Sequence, residues 1–554
     1  MPCVSSKASH TLCKPDCETD WLCCNKIEPY SCRPVCYPDL EINELGGTGC
    51  SGVESNWLYL HFWRSSNGIG NNFDNPDQGS VCTGLNTLAP HAFGDGDSTP
   101  ANRTPNPRYV SNAVSKLTGA DPHPTLSQMM TWWGQYIDHT VAISPEGEED
   151  LSFTSAANIT EDPNETIFSA TIPFKRADFV LNSTPREHLT QLTAFLDADN
   201  VYGKDGPREL ALRLMDGTGK LKTSAGDLPP LNIYGLDNAN PVGATPEDLY
   251  LVGDVRGNEN SNLLALHTIF VRLHNILCDE FVAEFPRFAG QDEVIYQMAR
   301  RKVAGIQQRI TYREFLPRLL GSYNPPAYTG YKEDVNPTVL KEFSTVAYRF
   351  GHGTVNSDVL VGESTLVSLN DLFFNPSAIV THGVDDLILG AMKQYMKNVT
   401  PELVDELRNT LFGPPSGPLL DLAALNIQRG RDMGIPNYNV LRVAYGLAEK
   451  ATWADVTSNV ALQGKLASVY ASPSVADPWV AGLAEDHVSG GVVGELFAAI
   501  IREQFVRLRD GDRFWHENDP AFREEDLAEI RGYNLAKVIE KTTNVSVSGS
   551  PFLV

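Results

Sequence analysis

The sequence predicts a mainly α-helical protein: one large domain behind a short cysteine-rich head. Three observations carry this. Apolar residues recur every three and four positions through long stretches, alternating strand patterns are scarce, and eight of the ten cysteines fall in the first fifty residues. A chain of 554 residues is long enough for one large domain or two to four ordinary ones. No linker within 51–554 is long or simple enough to divide it, so that span is read as one domain.

Residues 1–50 hold Cys3, Cys13, Cys17, Cys23, Cys24, Cys32, Cys36 and Cys50. Such density in a short polar segment points to a disulfide framework and an oxidising, extracellular setting. A zinc site is the rival, weakened by the adjacent Cys23-Cys24 pair and the lack of a paired Cys-x-x-Cys pattern. Cys17 to Cys23 and Cys32 to Cys36 faintly resemble a whey-acidic-protein type module, with departures in spacing. The start, MPCVSSKASHTLC, has no charged and then apolar run of a signal peptide, so either the chain is a fragment of a longer precursor or the cysteines are reduced. Sequons for glycosylation begin at Asn102, Asn158, Asn164, Asn182, Asn398 and Asn544.

Residues 51–125 are rich in Gly, Asn, Pro and Asp and read as long ordered loops. From about 125 helical spacing takes over. In 263–285 the apolar positions Leu263, Leu266, Phe270, Leu273, Leu277 and Phe281 share one face; LILGAMKQYM and GELFAAIIREQFVRLRDG continue the pattern. Cys278 falls inside the first of these and reads as a buried apolar thiol. A net charge of −25 argues against nucleic acid and anionic membranes as partners, and no run of 18 apolar residues is present to span a bilayer.

The stretch WWGQYIDHT places Gln135, Asp138 and His139 on one helical face beside apolar bulk. Three segments echo it. GDVRGNEN holds Arg256 and Glu259; AYRFGHGTVN sets His352 between two glycines, three residues after Arg349; LNIQRGRDMGIPNYN combines Asn426 with Arg429 and Arg431. A large planar dianionic cofactor would use a His axial ligand and Arg partners for its carboxylates, so these segments are compatible with a haem site.

Together with NPRYVSNAV, FLDADNVYG, LALHTIFVRLHN, QQRITYREFLPRLLG and LRDGDRFWHEN, in that order across roughly 57–535, the four segments resemble the animal haem peroxidases. The resemblance implies haem b as cofactor, hydrogen peroxide as oxidant and halide, thiocyanate or phenolic donors. His139 matches the distal histidine that moves the peroxide proton, Arg256 the arginine that stabilises the developing charge, and Gln135 the distal glutamine. His352 matches the iron ligand, Asn426 its hydrogen-bonding partner, and Arg349 and Arg429 the propionate partners. Asp138 and Glu259 match the carboxylates ester-bonded to haem methyl groups. Asn260 stands near where some members carry a methionine that forms a sulfonium link; without it, donors easier to oxidise than chloride are expected.

The family's calcium loop is altered. Thr140 replaces the Asp that follows the distal histidine, and the loop reads Thr193, Phe195, Asp197, Asp199, with an extra carboxylate at its end. Calcium is expected on Thr193, the Phe195 carbonyl, Asp197 and Asp199, with Thr140 a further candidate. Met433 stands where the family usually has His, and the sequence explains nothing about it. His267 and His274, seven apart on one helical face, are read as structural residues rather than a metal pair. Two competing functions remain at this point. One is a fatty-acid dioxygenase, whose radical tyrosine would sit three residues before the proximal His, where this chain has Arg349 after Tyr348. The other is a peroxinectin-like adhesion protein that meets extracellular matrix or a cell surface through its cysteine-rich head.

Overall fold

The computed structural model describes residues 62–554 except 102, 120, 155–164, 166, 169–170 and 412–418. The cysteine-rich segment, its disulfide and whey-acidic-protein readings, and the sequons at Asn102, Asn158 and Asn164 lie outside the described residues. WWGQYIDHT forms the end of the helix Met129–Val141 (α1). Met129, Met130, Trp132, Trp133, Tyr136, Ile137 and Val141 are all buried, so apolar side chains surround the helix and drive it into the interior. Trp133 packs on Tyr136 and Phe270 and meets Phe552 edge-on.

The periodic run at 263–285 becomes the 24-residue helix Ser261–Glu284 (α2). It packs against α1, Asp292–Ile310 (α3), Val384–Lys393 (α4) and, across the domain, Leu535–Thr542 (α7). Leu422–Asp432 (α5) and Glu495–Asp510 (α6) complete the long helices used below. Asn260 caps α2: its side-chain oxygen accepts from the Leu263 amide, satisfying an N–H that the helix itself cannot. One continuous hydrophobic cluster runs from Leu85 to Phe552, as a single domain requires.

Among the described residues, strands form only four two-stranded antiparallel sheets. One corrects the sequence reading of LILGAMKQYM as unbroken helix. The helix stops at Lys393, and Tyr395–Lys397 (β2) pairs with Pro122–Ser127 (β1). The break is at Gln394, which turns extended; its side chain donates to the Asp358 carbonyl and accepts from the Leu360 amide. Gly390 permits the close approach this needs, since a Cβ there would lie 1.9 Å from the Leu360 oxygen. Residues 62–121 are mainly loops, as their composition indicates, relieved by the short helical segment Pro107–Ser115. Cys278 is a free, buried thiol on α2.

Asn260→Ala removes both the α2 cap and a bond to Gln135 described below. The expected loss is about 1 kcal/mol for the cap alone, read as a lower midpoint in denaturant unfolding.

Candidate active site

The face of α1 that the spacing singles out meets the loop leading into α2. Gln135 donates from its amide nitrogen to Glu259 at 3.0 Å, and Asn260 donates to the Gln135 oxygen at 3.0 Å. Asn260 therefore caps α2 with its oxygen and fixes Gln135 with its nitrogen. His139 is buried, with Nε2 3.9 Å from Glu259 and Nδ1 3.5 Å from Asp254. Arg256 is the hub. It donates to Asp254 from Nε (2.9 Å) and Nη2 (3.0 Å) and to the Ala142 carbonyl from Nη1 (3.0 Å), and Nη1 lies 3.7 Å from Asp138. Its charge sits just beyond the C-terminal end of α1, where the helix presents unpaired carbonyls.

Burial sets the protonation states. It lowers His139 well below 6.5, reinforced by the Arg256 charge, so the ring is neutral. Loss of water pushes the half-buried Asp138 up to about 6 and the half-buried Glu259 up to about 7, against the pull of Arg256. Asp254 is buried, yet the charge and hydrogen bonds of Arg256 hold it well below the usual carboxylate range. The site therefore contains one firmly ionised carboxylate, two that are easily neutralised and a neutral imidazole. Sequence reasoning missed Asp254. The available signal was Asp-Val-Arg behind a glycine, which places a carboxylate and a guanidinium two residues apart in a turn.

The second half of the site is the 3-10 segment Ala347–Thr354 together with α5. The Asn426 amide nitrogen is hydrogen-bonded to His352 Nδ1 at 2.8 Å. Its oxygen accepts from Arg349 Nη1 at 2.6 Å. The amide nitrogen can only donate, so Nδ1 accepts and the neutral ring carries its proton on Nε2, the nitrogen that would give up that proton to take a ligand. Burial and Arg349 lower His352 to about 3, keeping the imidazole neutral. Burial and Arg429 push Arg349 down to about 10, and among the described residues no carboxylate lies within ion-pairing distance of it. Arg429, expected beside it, donates instead to Asp432 and the Lys175 carbonyl and lies over the Phe174 ring. Met433 is buried at the C-cap of α5, its sulfur accepting from the Thr345 hydroxyl.

The Thr193–Asp199 loop abuts this centre. Gly253 lies so close that a Cβ would fall 2.0 Å from the Asp199 carbonyl oxygen. Thr193 donates to Asp197 at 2.9 Å, and the Asp199 amide donates to the other Asp197 oxygen at 3.1 Å. Both Asp199 carboxylate oxygens are buried without a hydrogen-bond partner. Burial raises both aspartates, Asp199 further because Asp197 and Asp254 are near. Thr140 is buried and donates to the Tyr136 carbonyl within its own helix. His267 and His274 do not form a pair: His274 is bound to Tyr202 and the Gly219 carbonyl, and His267 meets Tyr136 edge-on.

Residues 63–552 match the model of the family described as animal haem peroxidase. The chain belongs to the animal haem peroxidase family. It is 37% identical to peroxinectin A of Dictyostelium discoideum over 87% of this chain and 93% of that one. It is 31% identical to thyroid peroxidase of Sus scrofa, with 87% of this chain matching 59% of that one. Among solved structures, peroxidase A of Dictyostelium discoideum superposes with a TM-score of 0.81 at 33% identity, covering 89% and 99% of the two chains. A fatty acid alpha-dioxygenase of Arabidopsis thaliana reaches a TM-score of 0.76 at 19% identity, a likeness of fold alone.

The protein is therefore a haem peroxidase, an oxidoreductase that uses hydrogen peroxide and donor substrates. No helix among the described residues is long and apolar enough to cross a membrane. The residues present fit haem. A neutral histidine between two glycines has no hydrogen-bond partner at Nε2 among the described residues, an arginine without a carboxylate suits a propionate, and the buried His139 Nδ1 makes no hydrogen bond that would fix the ring elsewhere.

Asp254→Asn leaves the shape but removes the charge that holds Arg256 and faces His139. The peroxide reaction, followed by stopped-flow absorbance, is expected to slow by about 10- to 100-fold, the usual range for losing a supporting partner.

Proposed function

We propose that His139 and Arg256 carry the peroxide reduction on a His352-ligated haem, and that halide, thiocyanate or phenolic donors supply the electrons. The observation that carries this reading is a buried neutral His139 beside the clamped Arg256 guanidinium, with Nε2 toward Glu259 and Nδ1 toward Asp254. Bound haem supplies the iron at which the peroxide O–O bond is broken. His139 accepts a peroxide proton at Nε2, because the Asp254 carboxylate favours the tautomer with its proton on Nδ1. The same nitrogen returns that proton to the departing oxygen, which leaves as water. Arg256 stabilises the negative charge that grows during cleavage without reorganising, since Asp254 and the Ala142 carbonyl already hold it. Gln135, fixed from both sides, presents its amide next to the carboxyl of Glu259. Asn426 holds the proximal ring and Arg349 meets a propionate; Arg429 contributes positive charge from behind Arg349.

Asp138 and Glu259 are the proposed ester links to haem, supported by their place beside His139 and Arg256 and by the ease with which both lose their charge. Asn260, engaged with Gln135 and the α2 cap, cannot form a sulfonium link. Calcium is proposed on Thr193, the Phe195 carbonyl, Asp197 and Asp199. The two unpartnered Asp199 oxygens support it, because a hard cation would satisfy both buried carboxylates at once. Thr140 contributes least, its hydroxyl being spent on Tyr136. Asp199 thus supplies the carboxylate that position 140 lacks. The chain is proposed to be secreted and glycosylated, with a cysteine-rich segment at 1–50 ahead of the domain at 51–554. A matrix or cell-surface partner for that segment belongs to the same proposal. An adhesion role without turnover is not favoured, since the chain belongs to the animal haem peroxidase family and resembles peroxidases along most of its length.

His139→Gln is expected to slow peroxide reduction by about 10²- to 10⁴-fold, the range for losing a general acid–base group. In the wild type the peroxide rate should stay level as pH falls past 6.5, because a lowered His139 remains neutral there; a decline centred on 6.5 would show an ordinary histidine. Denaturation followed by acidic butanone extraction should leave haem on the polypeptide, and Asp138→Asn with Glu259→Gln should release it. Chelation with EGTA should lower the thermal midpoint, calcium should restore it, and Asp199→Asn should abolish that response.

A further inference from the structure

Away from the haem residues lies a pocket of about 220 Å³, lined by Tyr312, Tyr328 and Trp515 and by Arg309, Arg313 and Arg509. Three guanidiniums line it; Arg509 is ion-paired with buried Asp510 at 2.8 Å, which leaves Arg309 and Arg313 as its positive side, and Glu517 is the one carboxylate among its lining residues. Arg509 lies over the Tyr312 and Tyr328 rings, and Arg313 is exposed at the mouth. The Tyr328 hydroxyl and the indole N–H of Trp515 are buried behind this lining without a hydrogen-bond partner. The pocket thus offers aromatic rings and the charge of Arg309 and Arg313, which together suit a small aromatic anion.

Its back wall leads toward the haem. The ring of Trp515 is 4.9 Å from Tyr312 and 5.9 Å from Tyr328; Tyr312 is 5.8 Å from Phe505, and Phe505 is 5.8 Å from Tyr348. Tyr348 shares the 3-10 segment with His352, and its hydroxyl is buried without a partner. Aromatic rings thus succeed one another from the segment of the proximal histidine to the pocket.

We propose that this pocket is a second donor site, taking small phenols that carry a carboxylate, whose electrons travel through Trp515, Tyr312, Phe505 and Tyr348 toward the haem. The proposal builds on the peroxide chemistry of the distal side. Each phenol loses one electron to the rings and one proton to solvent at the mouth, becoming a phenoxyl radical. Two phenols supply the two electrons that, with two protons, turn one hydrogen peroxide into two waters. Trp515 can carry the charge as an indole cation without losing its N–H. The surrounding arginines make that cation a stronger oxidant, and an anionic donor offsets its charge. Tyr312 donates its hydroxyl proton to the Phe505 carbonyl, which is no base, so it acts as a ring in the path.

The test compares ferulate with iodide as donors to the holoenzyme and peroxide. Trp515→Phe should lower the ratio of ferulate to iodide turnover about tenfold or more, a change in kcat. Arg313→Glu, on the surface, should raise KM for ferulate and weaken its binding in equilibrium dialysis without peroxide. With peroxide and a spin trap but no donor, peptide mass spectrometry should find the adduct on Trp515 or Tyr328. Ferulate and iodide turnover falling in parallel, ferulate binding indifferent to Arg313→Glu, or adducts confined elsewhere would overturn the proposal. A wild type that oxidises neither donor would remove the peroxidase reading itself.

Discussion

One guanidinium organises the catalytic half of this protein. Arg256 spends its donors on Asp254 and on the carbonyl that ends α1, and its charge reaches Asp138 and Glu259. Gathering three carboxylates and a histidine within a few ångströms, with Asp254 and His139 buried and Asp138 and Glu259 half-buried, would be costly unless a cation held them and some members were neutral. Arg256 resolves this unevenly. Asp254, in bidentate contact, stays ionised; Asp138 and Glu259, further off, are held loosely enough to lose their charge; His139 remains neutral because Arg256 adds to the cost of protonating it. Acid–base competence, charge stabilisation and readiness for covalent attachment thus descend from the geometry of a single side chain.

The opposite half uses the same economy. Asn426 links Arg349 to His352, one amide group serving both. Arg349 is left with charge to offer because its neighbour Arg429 is drawn to Asp432. The Thr193–Asp199 loop is physically continuous with the Arg256 loop through the approach at Gly253. Any cation that satisfied Asp199 would stiffen the backbone immediately before Asp254.

Much of the fold was legible because helices are local. The spacing in 263–285 marks α2 within two residues of its true start, and the Gly-Asn-Pro composition before residue 125 marks loops. The failure at LILGAMKQYM is equally instructive. Apolar residues at helical spacing continue past Lys393, but Gln394 bonds to a strand some 30 residues earlier in sequence, and β2 pairs with residues more than 250 positions away. Such bonds leave no trace in a local period.

The sequence by itself determined which residues are available for chemistry. Gln135, Asp138 and His139 share a face by helical geometry, glycines flank His352, and Asn260 excludes a sulfonium link beside Glu259. Tertiary structure alone decided what those residues become. Asp254 gained its place between His139 and Arg256, Arg349 and Arg429 took different partners, and rings from residues 312 to 515 came into sequence behind His352. The reason is physical. Side-chain spacing within a helix follows from the backbone, whereas protonation and partnership depend on burial and on charges brought together from distant parts of the chain.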